Sequence, residues 1–198
     1  MTQQSARIVT VLGAFLAGLV IFSAAIFFVV GRLPAPIPAP SAIGGPFQLV
    51  DQNGETVTQD GLKGKPSLIF FGFTHCPDVC PTALMEMTQI YKALGKDGDR
   101  VRGLFVSVDP ERDTPDVLKE YLSSFDPNLR GLTGDPAAVA AMEKAYRVYS
   151  KKVPLEGGGY TMDHTALVYL MDKEGRFVAP FNMKRKPEEA AAELRRYF

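Results

Sequence analysis

An α/β layered domain that opens on an N-terminal β-hairpin, preceded by one transmembrane helix, is the fold class this sequence predicts. Three observations predict it: a charge-free apolar run near the N-terminus, strand and helix patterns that alternate through the remainder, and a cysteine pair where the first buried strand meets the first helix.

Residues 8–31, "IVTVLGAFLAGLVIFSAAIFFVVG", carry no charge between Arg7 and Arg32. A helix needs roughly 20 apolar residues to cross the hydrocarbon, and a signal-peptide core has only about 7 to 15, so residues 1–33 read as a retained anchor. Arg7 and the terminal amine flank the run on one side, Arg32 alone lies close on the other, and no Lys or Arg follows until Lys63. That bias predicts an exported C-terminal domain. Residues 34–46, "PAPIPAPSAIGGP", favour extended polyproline II structure and read as a stiff tether. Residues 47–198 are long enough for one domain that buries roughly 70% of its unfolded surface, so no disulfide is needed to hold a small core together. Lys and Arg total 22, as do Asp and Glu, a neutral balance that argues against nucleic acid as a partner.

Within the domain, "FQLVDQNGETVTQ" places Asn53-Gly54 between short alternating runs, a hairpin signal. "SLIFFGF", residues 67–73, is a continuous apolar run of strand length, as a strand covered on both faces requires. Pro81 then starts a helix in which Leu84, Met87, Tyr91 and Leu94 recur at helical spacing until Gly95. "VRGLFVSV", residues 101–108, is a second buried strand, and "DTPDVLKEYLSSF" opens a helix with Asp113 or Thr114 as cap and Pro115 as first helical residue. Asp135-Pro136 starts another helix in the same way, running towards Tyr146. "HTALVYLMDKEGRFVAPF" is a strand, a turn at Glu174-Gly175 and a second strand, and Pro187 opens a last helix. The order is hairpin, βα, βα, α, ββ, α. With the cysteines at the first strand-to-helix junction, it predicts a thioredoxin-like fold, in which ligands bind at the carboxyl ends of the strands.

The chain has two cysteines, Cys76 and Cys80, inside "FGFTHCPDVCPTAL". Three roles are open to them: structural staple, redox couple or metal clamp. In a helical turn their Cβ atoms lie roughly 5 to 6 Å apart on one face, so both sulfurs can address one point. A disulfide closing so short a loop restrains little chain entropy, which disfavours the staple. A helix N-terminus lowers a thiol pKa, which favours both nucleophile and ligand. One residue more than the C-x-x-C spacing leaves room for an ion between the sulfurs.

Two thiolates favour Cu(I) and tolerate zinc, whereas a closed zinc site wants four protein ligands. The two histidines are His75 and His164. His75 adjoins Cys76, and helix neighbours one apart do not face each other, so it reads as a packing or surface residue. His164, in "GGGYTMDHTALVYL", follows a flexible loop at the entrance to a strand and is the better third ligand. Thioredoxin-like folds usually carry a cis-proline there; this chain has Met162-Asp163-His164. A neutral imidazole with two thiolates suits Cu(II), its other ring nitrogen fixed by an acceptor behind it. A capping or core histidine is the alternative. Met85, Met87 and Met162 are soft thioethers, but the first two lie in a helix that must pack. "KRKP", residues 184–187, is a solvated basic run or a dock for an acidic partner.

The stretches "GPFQLVDQNG", "FFGFTHCPDVCPTAL", "VSVDPERDTP", "GLTGD", "AYRVYSKK" and "MDHTALVYL" together resemble the Sco/SenC copper chaperones, which assist assembly of the binuclear copper site of cytochrome c oxidase. The resemblance implies one copper per chain, as Cu(I) or Cu(II), bound by Cys76, Cys80 and His164, with Asp109 nearby influencing the cysteines and the metal. From topology alone Asp109 lies at the ligand-bearing edge, and equally well reads as a turn residue before Pro110. The implied partners are the copper-site subunit of the oxidase, a thioredoxin-like reductant or another copper carrier, and the membrane through the N-terminal helix. The implied location is a bacterial inner membrane, single-pass, with the domain in the periplasm. Two alternatives stand beside the chaperone: a thiol:disulfide oxidoreductase that keeps the target's cysteines reduced, with Cys76 attacking and Cys80 resolving, and a redox sensor. Whether the chain is an enzyme is therefore open. The glycines at 157–159 shorten a loop that some family members carry longer and more acidic.

Overall fold

The computed structural model describes the backbone of residues 3–30 and 43–198, with side chains over 12–28 and 43–198. It divides into two units, one to either side of residues 39 and 40. The N-terminal unit holds helix α1 (Gln3–Val30). Every described side chain on it, from residue 12 to 28, is exposed, Phe15, Ile21 and Phe27 among them. Among the described residues no helix is long and apolar enough to cross a membrane; those of α1 with described side chains stop at 12 and 28. The tether expected over 34–46 lies outside the described residues as far as residue 42. From Ile43 the chain is part of the domain: Ile43 packs on the core, and Gly44 N–H donates to the Ala145 carbonyl at 2.9 Å.

The hairpin is β1 (Gln48–Asp51) and β2 (Thr56–Thr58), paired antiparallel. Asp51 Oδ1 closes its turn by accepting from the N–H groups of Asn53 (2.9 Å) and Glu55 (2.8 Å), and Gly54 takes the φ of +80° that the turn demands. Strand β3 (Ser67–Gly72) is buried at all six positions. Helix α2 (Val79–Leu94) begins two residues earlier than Pro81, which is tolerated in the first turn because N–H groups there lack intrahelical partners. Its buried face is the one read from the sequence, with Leu84, Met87, Tyr91 and Leu94 all inside, and it stops at Gly95 (φ +57°). Strand β4 (Arg102–Ser107) and helix α3 (Pro115–Leu122) follow. Thr114, not Asp113, is the cap, its Oγ1 accepting from Val117 N–H at 3.3 Å. Then come β5 (Leu129–Thr133), α4 (Pro136–Tyr146) capped by Asp135, β6 (Ser150–Pro154), β7 (Tyr160–His164), β8 (Val168–Met171), β9 (Phe177–Pro180) and α5 (Pro187–Leu194).

Seven strands form one mixed sheet in the order β2-β1-β5-β4-β3-β8-β9, with β3, β4 and β5 parallel. Helix α2 packs with α5, α3 lies on β5 and α4 touches β1, so the central strands are covered and Ile69, Phe71, Leu104 and Phe105 are fully buried. Three strands were not foreseen. In β5 Arg130 and Gly131 interrupt the apolar run, so no period is visible. Among the described residues strands β6 and β7 pair only with each other, in a ribbon apart from the main sheet, and its half-exposed residues show no clean alternation and read as loop. His164 is accordingly the last residue of a paired strand rather than the entrance to the next one.

Candidate metal centre

Parallel strands β3 and β4 end side by side, with Gly72 opposite Ser107, and their carboxyl ends hold the site. After β3, Cys76 N–H donates to the Phe73 carbonyl at 3.2 Å, folding residues 73–76 into a turn. Asp113, fully buried, pins this turn from the segment after β4: it accepts from Thr74 N–H (3.1 Å), Thr74 Oγ1 (2.6 Å) and Ser107 Oγ (2.6 Å). Three donors neutralise much of the cost of holding a carboxylate inside. The residue read as a possible helix cap therefore holds the cysteine loop instead.

Cys76 is half-buried and Cys80, in the first turn of α2, is fully buried; both are free thiols, with Cys80 N–H donating to Cys76 Sγ at 3.4 Å. Helix position was expected to lower the thiol pKa. At Cys80 burial wins and pushes the thiol up, against a backbone hydrogen bond at Phe73 that lowers it. The space for this sulfur exists because residue 72 has no side chain: a Cβ there would lie 2.8 Å from Cys80 Sγ and 2.7 Å from the Phe105 ring. Gly72→Ala is expected to displace the sulfur, lower stability by about 1–3 kcal/mol as overpacking does, and weaken metal binding. Thermal unfolding and a metal titration measure both, and a variant equal to wild type in each would disprove the steric role.

His164 arrives from the ribbon. Its Nδ1 lies 3.1 Å from the Thr165 carbonyl, which can only accept, so Nδ1 donates there and Nε2 faces Cys80 Sγ at 3.7 Å. This is the fixed ring nitrogen expected of a ligating imidazole. Phe73 and Phe70 meet the ring edge-on, at centroid distances of 5.7 and 6.2 Å. The donor atoms of Cys76, Cys80 and His164 all lie within 4.8 Å of one another. A cavity of about 240 Å³ opens on Cys76 and His164, lined also by Pro77, Val79 and Met162.

Asp109 does not join that group. It is buried and engaged elsewhere, accepting from Arg112 Nε and from Tyr160 OH, the latter at 2.8 Å. His75 is largely exposed, its Nδ1 3.1 Å from Thr74 Oγ1 and 3.9 Å from Asp113, consistent with a surface residue. Met87 fills core, whereas Met85, expected to do the same, is exposed. In the basic run Arg185 pairs with Glu193 and lies over the Phe181 ring. Gly72, Arg112, Asp113 and Tyr160 were not read as site residues. A glycine inside an otherwise unbroken apolar strand was the available signal for the first, and marks a close approach.

A thioredoxin-like α/β domain in which two thiols from a strand-to-helix junction meet an imidazole from a separate ribbon is a domain with a three-donor centre suited to a soft ion. The chain belongs to the SCO1/SenC family, whose model matches residues 36–198. It is similar to the structure of Bradyrhizobium japonicum ScoI with copper bound, at 67% identity and TM-score 0.77 over 79% of this chain and 99% of that one. It is 43% identical over 149 residues to the SCO2-like protein of Rickettsia felis, covering 74% of this chain and 73% of that one. It is also similar, at 27% identity and TM-score 0.64 over 81% of this chain and 96% of the other, to BsSco, described as having a disulfide switch and as a member of the Sco family of cytochrome c oxidase assembly proteins.

Proposed function

We propose that the chain is a membrane-anchored metallochaperone whose cargo is copper for the binuclear copper site of cytochrome c oxidase. One ion is held by Cys76 Sγ, Cys80 Sγ and His164 Nε2. The observation that carries this reading is the convergence of those three atoms within 4.8 Å, two of them soft sulfurs. The copper-bound relative at 67% identity supports the metal, and the oxidase-assembly role described for BsSco supports the destination. Uptake releases thiol protons. Delivery is ligand exchange: a receiving thiolate or imidazole replaces His164 first, because the ribbon is paired only with itself, and then the sulfurs. The exposed apolar side chains of α1 over residues 12–28 and the charge-free run 8–31 support an anchor in a bacterial inner membrane, and the placing of Arg7 supports a periplasmic domain.

A second reading, thiol:disulfide oxidoreductase, is favoured by the free thiols held next to each other and by the disulfide switch described for BsSco. Cys76, the more exposed, attacks a target disulfide, and Cys80 resolves the mixed disulfide. Two electrons pass to the target, which leaves as a dithiol, and a Cys76–Cys80 disulfide remains for an external dithiol to reduce.

Anaerobic titration of the reduced, detergent-solubilised full chain with Cu(I) and with Cu(II) tests the first reading, and one equivalent of either is expected. His164→Ala should lose the thiolate-to-Cu(II) charge-transfer absorption while its dithiol still reduces a model disulfide. Failure of the wild-type chain to bind copper would overturn the chaperone, and an unchanged Cu(II) spectrum in the variant would remove His164 as a ligand.

A further inference from the structure

The ribbon that carries His164 shares no strand pairing with the main sheet, so side chains must hold it in place. The densest set joins Tyr160, at the other end of β7, to the segment after β4. Tyr160 OH donates to Asp109 Oδ1 at 2.8 Å, and Arg112 Nη1 donates to the Tyr160 carbonyl at 2.9 Å. Arg112 Nε pairs with Asp109 Oδ2, and Asp109 N–H is itself tied to Ser107 Oγ at 2.9 Å. The guanidinium carbon lies 3.8 Å from the Tyr160 ring centroid and 5.9 Å from that of Phe73. Phe73 in turn meets the His164 imidazole edge-on at 5.7 Å. Lys152 extends the clasp, 4.7 Å from the Tyr160 ring and paired with Glu111.

Asp109 is thus spent on a clasp, not on the ion. We infer that Asp109, Arg112 and Tyr160 form a latch that fixes the ribbon, and through the Phe73 ring the His164 imidazole, and thereby sets how strongly the site holds Cu(II) relative to Cu(I). The inference rests on the copper reading above. Cu(I) is satisfied by the two sulfurs, which are placed by the turn after β3 and by the first turn of α2, not by the ribbon. Cu(II), the harder ion, needs the nitrogen as well. Loosening the latch therefore costs one oxidation state and spares the other. Arg112 Nη2 is buried without a hydrogen-bond partner among the described residues, a cost that the arrangement carries in addition to its pairings.

The three are positioning residues, and Tyr160→Phe is the mildest test, since it removes one hydroxyl and keeps the ring. With the full chain in detergent, Cu(II) affinity of Tyr160→Phe and Arg112→Gln is expected to fall about tenfold or more, the range seen when an outer partner of a ligand is lost. Cu(I) affinity, measured by competition with a chromophoric chelator, should stay within about twofold, and the Cu(II) electron paramagnetic resonance spectrum should broaden or shift. Arg112→Lys should restore part of the charge but not the two-pronged hold, and fall between. Equal losses for both ions, or no loss for either, would overturn the latch. Copper binding by the wild-type chain is the control: if it fails, the copper reading fails with it, whereas a normal wild type with unresponsive variants refutes the latch alone.

Discussion

Replacing Cys80 with serine is expected to abolish binding of copper in both oxidation states while the domain remains folded. Serine fills nearly the same space beside Gly72, but its hydroxyl is a hard donor that does not ionise. A lost ligand should cost more than the roughly 10- to 100-fold that losing an outer partner costs. Copper retention through gel filtration, with circular dichroism as the folding control, measures it, and a variant still holding one equivalent would refute the two-sulfur centre. The same substitution has a pH signature without metal. Burial raises the folded-state pKa of the Cys80 thiol. Its contribution to stability is therefore full below the unfolded thiol value, about 8.5, and is lost as pH rises beyond that towards the folded value. The copper-free wild type should lose stability from there upwards through this group, and Cys80→Ser should lack that component.

Asp113→Ala should be the most destabilising single change at the site that touches no proposed ligand. It leaves Thr74 N–H, Thr74 Oγ1 and Ser107 Oγ without their acceptor. Unsatisfied buried groups cost about 1–3 kcal/mol each, partly relieved by relaxation, so about 3 kcal/mol in total is expected. For a chain of this size that corresponds to roughly 6–12 °C in thermal midpoint. Copper affinity should fall as well, since Thr74 anchors the turn two residues before Cys76. Asp113→Asn, which keeps one acceptor oxygen, should fall in between. A midpoint within a degree or two of wild type would show that the carboxylate does not hold the loop.

The legible parts of this chain are those where one pattern had one meaning. The unbroken apolar run of β3, the helical period in α2 and the Pro-headed starts of α3, α4 and α5 correspond to elements of the structure. The cysteines and His164 were legible from donor chemistry and from a family resemblance, not from periodicity. What remained hidden depended on tertiary pairing. Nothing local separates Asp113 from Thr114 as cap; the structure decides because Asp113 finds buried hydroxyls from two other segments. Helix position argued for a lowered thiol at Cys80, and burial, which no local pattern reveals, reversed it. Asp109 looked like a turn residue or a metal neighbour, and its partners Arg112 and Tyr160 lie 3 and 51 positions away. The second is beyond any local window.

The division of the three donors between the β3–α2 junction and a self-paired ribbon gives the site two kinds of support. Amides at 68–71 sit in a strand buried at every position and paired on both sides, whereas those at 160–164 can open to deuterium without disturbing any bond of the seven-stranded sheet. The sulfurs stand on the turn after β3 and the first turn of α2, next to the covered sheet, and the nitrogen stands on the ribbon. The cargo can thus be let go by a local fluctuation, at a free-energy cost far below that of losing the fold.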